Sequence, residues 1–283
     1  MYKIVKRKNL NPTVTQMEIE APLVANKAKA GQFIILRVDE EGERIPLTVA
    51  GTDRSAGTVK IIFQIVGATT EKLNRKKEGE YIQDFVGPLG VATHIDGLKK
   101  VCVVGGGVGC AIAMPVAQAL HEKGAEVTSI IGFRNKDLLI LEEEFTACSD
   151  ELVVMTDDGS YGMRGNVTIP LKERLEAGEK YDMIITIGPL IMMKFVVETA
   201  RPFGIPVTAS MNPIMIDGTG MCGGCRLTLN QDGKKVTKFA CVDGPDFNGY
   251  EIDFDEAMSR GRTYFDFERR AYEKACNLFK EAK

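Results

Sequence analysis

Lys100-Val-Cys-Val-Val104-Gly105-Gly-Gly-Val-Gly109, followed by the helical stretch from Ala111 to Lys123, decides how this sequence folds. After Lys100, Val101-Cys-Val-Val104 is an apolar, mostly β-branched run of the kind that fills a strand buried on both faces. The next five, four of them glycine, turn the chain into a helix. Missing side chains let a backbone approach a pyrophosphate, and the first turn of a helix offers N–H groups without partners. Gly105, Gly106, Gly107, Val108 and Gly109 are therefore the candidate phosphate cradle. The run departs from a full G-x-G-x-x-G because Cys110 stands at the sixth position, and a plain strand–helix turn is the competing reading.

Downstream, further strands are expected at 126–131, 152–155, 181–187 and 206–209, alternating with helical stretches. That alternation predicts right-handed βαβ units and a doubly wound parallel sheet, an α/β nucleotide domain over residues 98–211. Ligands of such sheets bind at the carboxyl ends of the strands. Asp157 and Asp158 follow one strand, within Thr156-Asp-Asp-Gly-Ser-Tyr-Gly162, and Gly188 and Pro189 follow another, so these four join the candidate site. The second strand leads into Gly132-Phe-Arg-Asn-Lys136, without the usual ribose-binding acid. Arg134 and Lys136 suit a phosphate, which leaves NAD and NADP undecided. Upstream, the β-branched runs 32–38 and 58–66, bounded by turns, predict a small β-barrel over residues 1–97.

From residue 212 to about Tyr250 the chain becomes rich in Gly, Met and Cys, and from Asp255 to Lys283 it reads as helix. Residues 212–283 thus form a cysteine loop and a C-terminal helix. Seven unevenly spaced cysteines argue against a disulfide framework. Cys222-Gly-Gly-Cys225 and Cys241 match three positions of the plant-type [2Fe–2S] spacing C-x4-C-x2-C…C, and Asp217 falls at the first. Asp217, Cys222, Cys225 and Cys241 are the candidate metal ligands, with the intervening glycines letting backbone N–H groups point at sulfur. A Cys3Asp zinc site, a Cys222–Cys225 dithiol, and Cys241 as a core residue remain open. Cys102 and Cys276 read as small hydrophobes, whereas Cys110, at a helix start, is expected to have a lowered thiol pKa. Tyr264, Phe267, Ala271, Ala275 and Leu278 fall at helical spacing, with Phe265, Tyr272 and Phe279 widening the face. That face packs on its own domain or docks on a partner subunit.

The net charge of −3 leaves no nucleic-acid footprint. No apolar run approaches the roughly 20 residues that span a bilayer. Met1 to Lys8 is charged with no apolar segment after it, so the expected location is cytoplasmic.

A strand-rich first domain, a nucleotide domain and a C-x2-C…C loop, in that order, resemble the ferredoxin–NADP reductase superfamily over nearly the whole chain. Within it the chain looks like the branch holding the electron-transfer subunit of dihydroorotate dehydrogenase and the small (alpha) subunit of NADH-dependent reduced ferredoxin:NADP oxidoreductase. The resemblance implies FAD on the barrel. Arg44-Ile-Pro-Leu-Thr48 stands in place of the family's R-x-x-[ST] motif, with Arg44 on the pyrophosphate and Pro46, Leu47 and Thr48 along the isoalloxazine. Gly67, Thr69 and Thr70, in Val66-Gly-Ala-Thr-Thr70, would donate to the flavin phosphates, and Gly87-Pro-Leu-Gly90 matches the barrel exit. Asp217 departs from the dihydroorotate dehydrogenase pattern and resembles the bifurcating enzyme. The implied function is a relay between NAD(H), FAD and a [2Fe–2S] cluster, in which neither His94 nor His121 is needed as acid or base. The implied partner is a larger flavin and [4Fe–4S] subunit, forming a heterodimer that uses ferredoxin and NADP. Service to dihydroorotate or another dehydrogenase is the alternative.

Overall fold

The computed structural model describes residues 1–281, and side chains as far as residue 273. Seven short, β-branched strands build the first half: β1 (Tyr2–Asn11), β2 (Val14–Glu20), β3 (Phe33–Arg37), β4 (Arg44–Asp53), β5 (Thr58–Gln64), β6 (Tyr81–Ile82) and β7 (Asp84–Leu89). They pair antiparallel in the order β6-β1-β2-β5-β4-β3-β7. The two edge strands, β6 and β7, are separated only by Gln83, so the sheet curls back on itself as a near-closed barrel, which shields its edges. Ile4, Met17, Ile34, Leu36, Ile61 and Phe63 fill the interior. Two helices belong to this half, α1 (Pro22–Ala25) and α2 (Ala68–Arg75).

The second half is the expected parallel sheet. Its strands are β8 (Lys100–Gly106), β9 (Glu126–Phe133), β10 (Glu151–Thr156), β11 (Met163–Arg164), β12 (Met183–Ile187) and β13 (Val207–Ser210). The helices between them are α3 (Cys110–Glu122), α4 (Glu142–Ala147), α5 (Thr168–Glu176) and α6 (Leu190–Ala200). Alternation along β8 sends Val101 and Val103 towards α3, and Cys102 and Val104 into the cluster shared with α5 and α6. The order β11-β10-β9-β8-β12-β13 puts the topological switch between β8 and β12, where the chain leaves one side of the sheet for the other.

The cysteine-rich segment holds more regular structure than its sequence announces. β14 (Arg226–Gln231) and β15 (Lys234–Phe239) form a hairpin, followed by α7 (Ala240–Asp243). Next, β16 (Asp246–Asn248) adds to the main sheet antiparallel to β13. α8 (Phe254–Gly261) and α9 (Phe265–Glu281) complete the chain. Tyr264, Phe265 and Phe267 are exposed, and Ala271 and Tyr272 are half-buried on the helix that approaches α2. The expectations for the side chains of Ala275, Cys276, Leu278 and Phe279 lie outside the described residues. No helix among the described residues is long and apolar enough to cross a membrane.

Candidate functional site

The glycine loop lies at the switch point, where β8 and β12 end side by side with Gly105 paired to Ile187. A Cβ on Gly106 would stand 2.3 Å from Met192 Sδ, and one on Gly109 would stand 2.6 Å from the Ile187 carbonyl and 2.7 Å from Gly188 Cα. At Gly109 the obstacle is backbone at the end of β12, so glycine is required there, whereas at Gly106 it is the flexible tip of Met192 on α6. Gly107, at φ +54°, has no atom within 4 Å of the point where a Cβ would stand, so its open side faces away from the protein. The structure therefore brings Gly105–Gly109 and Gly188–Pro189 into one place ahead of α3. Cys110 corrects an expectation. Its thiol is fully buried beneath the loop, and desolvation pushes its pKa up, not down.

Asp157 and Asp158 are exposed at the end of β10, beside the loop that ends β9. The Asp157 N–H donates to the Phe133 carbonyl at 3.0 Å, and the Lys136 N–H to Ser160 Oγ at 2.8 Å. Asp158 accepts from Ser160 N–H at 2.9 Å and from Ser160 Oγ at 2.6 Å, and these bonds lower its pKa. Tyr161 donates its phenol to Glu142 Oε1 at 2.8 Å, joining the start of α4 to the same loop. Sequence reasoning singles out neither of these two residues; the acidic run Glu142-Glu-Glu144 opening a helix is the available signal.

On the barrel, β4 alternates. Ile45 and Leu47 pack on the interior, so Arg44, Pro46 and Thr48 share the outward face. Leu47 consequently offers that face only its backbone. At the start of α2, Thr70 Oγ1 accepts from the Val66 and Gly67 N–H groups at 3.0 Å each and donates to the Gly67 carbonyl at 3.0 Å. Thr70 is committed to the cap, and Thr69 donates to Glu43 Oε2 at 3.2 Å. The amides of the first turn remain without intrahelical acceptors.

The cysteine loop rests on that outward barrel face. Gly218, at φ +77°, sits so close that a Cβ would meet Leu89 Cδ1 at 2.7 Å and Ile35 Cδ1 at 2.8 Å, and Ile35 is the cross-strand partner of Pro46. Phe33 and Ile35 share one apolar cluster with Met215, Cys225 and Cys241. Among the described residues no three Cys, His, Asp or Glu side chains converge on a single-ion site. The four candidates stand as two pairs. Asp217 Oδ2 accepts from the Cys222 N–H at 2.9 Å, and Cys225 Sγ lies 3.2 Å from Cys241 Sγ. Backbone amides point at sulfur as expected, Gly224 N–H to Cys222 Sγ at 3.4 Å and Cys241 N–H to Cys225 Sγ at 3.5 Å. Bonds from Thr219 and Cys222 hold Asp217 below its ordinary pKa. Burial and the neighbouring Cys225 push Cys241 up to about 12, and Cys241 is buried in the core cluster it shares with Cys225.

A cavity of about 170 Å³ opens between the start of α6 and the cysteine loop, lined by Leu190, Asn212, Gly224, Arg226 and Arg260. It adjoins both the nucleotide edge and Cys225. A cavity of about 540 Å³ lies by the opposite sheet edge, against Met183, Pro206 and Asp246, and includes none of the expected site residues.

A barrel, a doubly wound nucleotide sheet and a cysteine loop seated on the barrel define a reductase of the ferredoxin–NADP reductase superfamily. Residues 212–253 match the iron-sulfur cluster binding domain of dihydroorotate dehydrogenase B. The chain is 47% identical over 274 residues to a dihydroorotate dehydrogenase B (NAD(+)) electron transfer subunit homolog of Thermotoga maritima, covering 97% of this chain and 95% of the relative. It is 31% identical over 250 residues to the dihydroorotate dehydrogenase B (NAD(+)) electron transfer subunit of Streptococcus pneumoniae, covering 87% and 97%. It superposes with a TM-score of 0.89 and 46% identity, over 97% of both chains, on a structure of NADH-dependent reduced ferredoxin-NADP oxidoreductase solved in a study of flavin-based electron bifurcation. The chain belongs to the family of dihydroorotate dehydrogenase B electron-transfer subunits. It is accordingly an electron-transfer subunit of an oxidoreductase, with FAD, a [2Fe–2S] cluster and NAD(H) as its cofactor set.

Proposed function

We propose that this chain is the NAD(H)-side electron-transfer subunit of a flavin-based electron-bifurcating ferredoxin:NADP transhydrogenase. The observation that carries the reading is the seat of the cysteine loop. Gly218 stands on Ile35, one strand away from Pro46, so the loop and the flavin motif occupy one barrel face. Strands in a sheet are about 4.8 Å apart, which makes electron transfer between the two sites short-range. FAD, when bound, converts a two-electron donor into one-electron traffic, and the cluster passes single electrons on.

The residues divide that work by position. Gly105, Gly106, Gly107, Val108 and Gly109, with Gly188 and Pro189, cradle the nucleotide pyrophosphate at the start of α3, and Asp157 and Asp158 flank the adenosine half. Arg44 pairs with the flavin pyrophosphate while Pro46 and Thr48 lie along the ring, with Leu47 anchoring the strand behind them. Gly67 and Thr69 bring the first-turn amides of α2 to the flavin phosphates, and Thr70 holds that turn in shape. Asp217 with Cys222, and Cys225 with Cys241, suit a two-iron cluster, which takes protein ligands in pairs. A single zinc ion would need one convergent set.

Asp217, in the position of the family's first cysteine, favours the bifurcating enzyme over the dihydroorotate dehydrogenase alternative. The larger partner would carry further FAD and [4Fe–4S] clusters, and ferredoxin and NADP would react there. Purification of the chain with its natural partner tests this. About two irons and one FAD in this chain, with NADP-dependent ferredoxin oxidation coupled to NADH, are expected. Dihydroorotate oxidation by the complex would establish the alternative, and a colourless zinc protein would overturn both.

A further inference from the structure

Resting on the placement of NAD(H) across these strand ends, we propose that Asn135 and Glu142 make the site select NAD(H) over NADP(H). Asn135 accepts a hydrogen bond from the adenosine 2′-hydroxyl, and Glu142 repels a 2′-phosphate. The two nucleotides differ there in kind: a hydroxyl donates, whereas a phosphate carries nearly two negative charges and only accepts.

The sequence alone points the wrong way, because Arg134 and Lys136 follow β9 where a 2′-phosphate would be gripped. The structure disarms Lys136. Its ammonium lies 5.4 Å from the centroid of the Tyr161 ring, whose hydroxyl donates to Glu142 Oε1 at 2.8 Å. Tyr161 is itself fixed, since Thr156 Oγ1 accepts its N–H at 3.1 Å and donates to its carbonyl at 2.6 Å. At this end of the sheet Asp157, Asp158 and Glu142 stand against Arg134, Lys136 and Arg164, whose stem packs on the Gly159 turn, so no surplus of positive charge is left for a 2′-phosphate. Asn135 Oδ1 is buried among the same loops with no hydrogen-bond partner, an acceptor waiting for a donor. Leu141, directly before Glu142, is buried in the left-handed region at φ 61°. A leucine is rarely held there, and such strain concentrates at ligand clamps. Acceptor oxygens on Asn135 and Glu142, with no surplus of cations beside them, suit a 2′-hydroxyl and disfavour a 2′-phosphate.

Calorimetric titration of the flavin-loaded full chain with NAD+ and NADP+ tests this directly. The native protein should bind NAD+ more tightly. Glu142→Gln should raise the NADP+:NAD+ affinity ratio roughly tenfold, and Tyr161→Phe, which releases Glu142, should move it the same way. Asn135→Ala should weaken NAD+ roughly five- to tenfold with a smaller loss for NADP+. A native protein that binds NAD+ but shows the same ratio after Glu142→Gln and Asn135→Ala overturns the inference while leaving the proposed function intact. A native protein that binds neither nucleotide overturns both.

Discussion

Asp217 occupies the point where the cysteine pattern breaks, and its surroundings make a sharp test. Its carboxylate already accepts from Thr219 and Cys222, so it is fixed beside Cys222. A carboxylate is a harder donor than thiolate and favours ferric iron. Asp217→Cys should therefore keep the cluster and raise its potential by something on the order of tens of millivolts, read in an EPR-monitored titration. An unchanged potential would mean that Asp217 only shapes the loop. Gly109 offers a second residue-scale test. A methyl there meets the backbone of Ile187 and Gly188, which cannot rotate away. Gly109→Ala should cost about 1–3 kcal/mol in urea denaturation and weaken NAD+ binding together with it. At this scale placement is legible where residue type alone decides it: the glycines do turn the chain at the switch point, and Cys225 and Cys241 do meet. It is not legible where orientation decides. Cys110 has the right address at a helix start, but its side chain turns under Gly105, and no spacing rule reports that. Leu47 is the same case, sent inward by strand alternation.

The elements show a parallel division. β8, the glycine loop and α3 were readable because a doubly buried strand is a continuous apolar run and a helix start has its own signature. β16 was not, since three residues carry no periodicity and their place is fixed by pairing with β13, 36 to 40 residues earlier. The β14–β15 hairpin did leave a signal, Asp232-Gly233, both with positive φ as a two-residue turn requires, yet the surrounding glycines and cysteines drew the segment into a loop. The α2 N-terminus carries the prediction for this scale. The single hydroxyl of Thr70 satisfies two amides and one carbonyl of the turn proposed to hold the flavin phosphates. Thr70→Val keeps the shape and removes all three bonds. It should cost about 1–2 kcal/mol by thermal denaturation. If the turn is an FAD anchor, the FAD dissociation constant should rise as well, whereas a purely structural cap would leave it unmoved.

Across the whole molecule, one buried carboxyl ties the two halves together. Thr93, in the linker leaving the barrel, donates to Asp246 Oδ2 at 2.6 Å, while Asp246 pairs in register with Ser210 at the edge of the nucleotide sheet. Thr93 in turn takes its place against the barrel through its N–H to the Ala30 carbonyl at 3.0 Å. The Asp246 Oδ1 atom is buried without a partner, and burial raises the carboxyl above its ordinary 3.8 despite the pull of Ser210 and Thr93. A raised folded-state pKa means that the native protein binds this proton more tightly than the unfolded chain. Its stabilising contribution is complete below the ordinary value of 3.8 and is lost as pH rises through the higher folded value. Asp39, Asp53 and Asp182 act oppositely, losing stabilisation as pH falls through their lowered values, so the total profile mixes both signs. The difference between the native protein and Asp246→Asn isolates the single group, because the amide still accepts from Thr93 and has no proton to lose. Asp246→Asn should therefore match the native protein in urea denaturation near pH 4, gain on it as pH rises to the folded pKa and hold that lead to pH 8, by about 1.4 kcal/mol for each unit by which the folded pKa is raised. A midpoint difference that stays flat between those limits would show that Asp246 ionises freely and that the junction of barrel and sheet carries no buried charge.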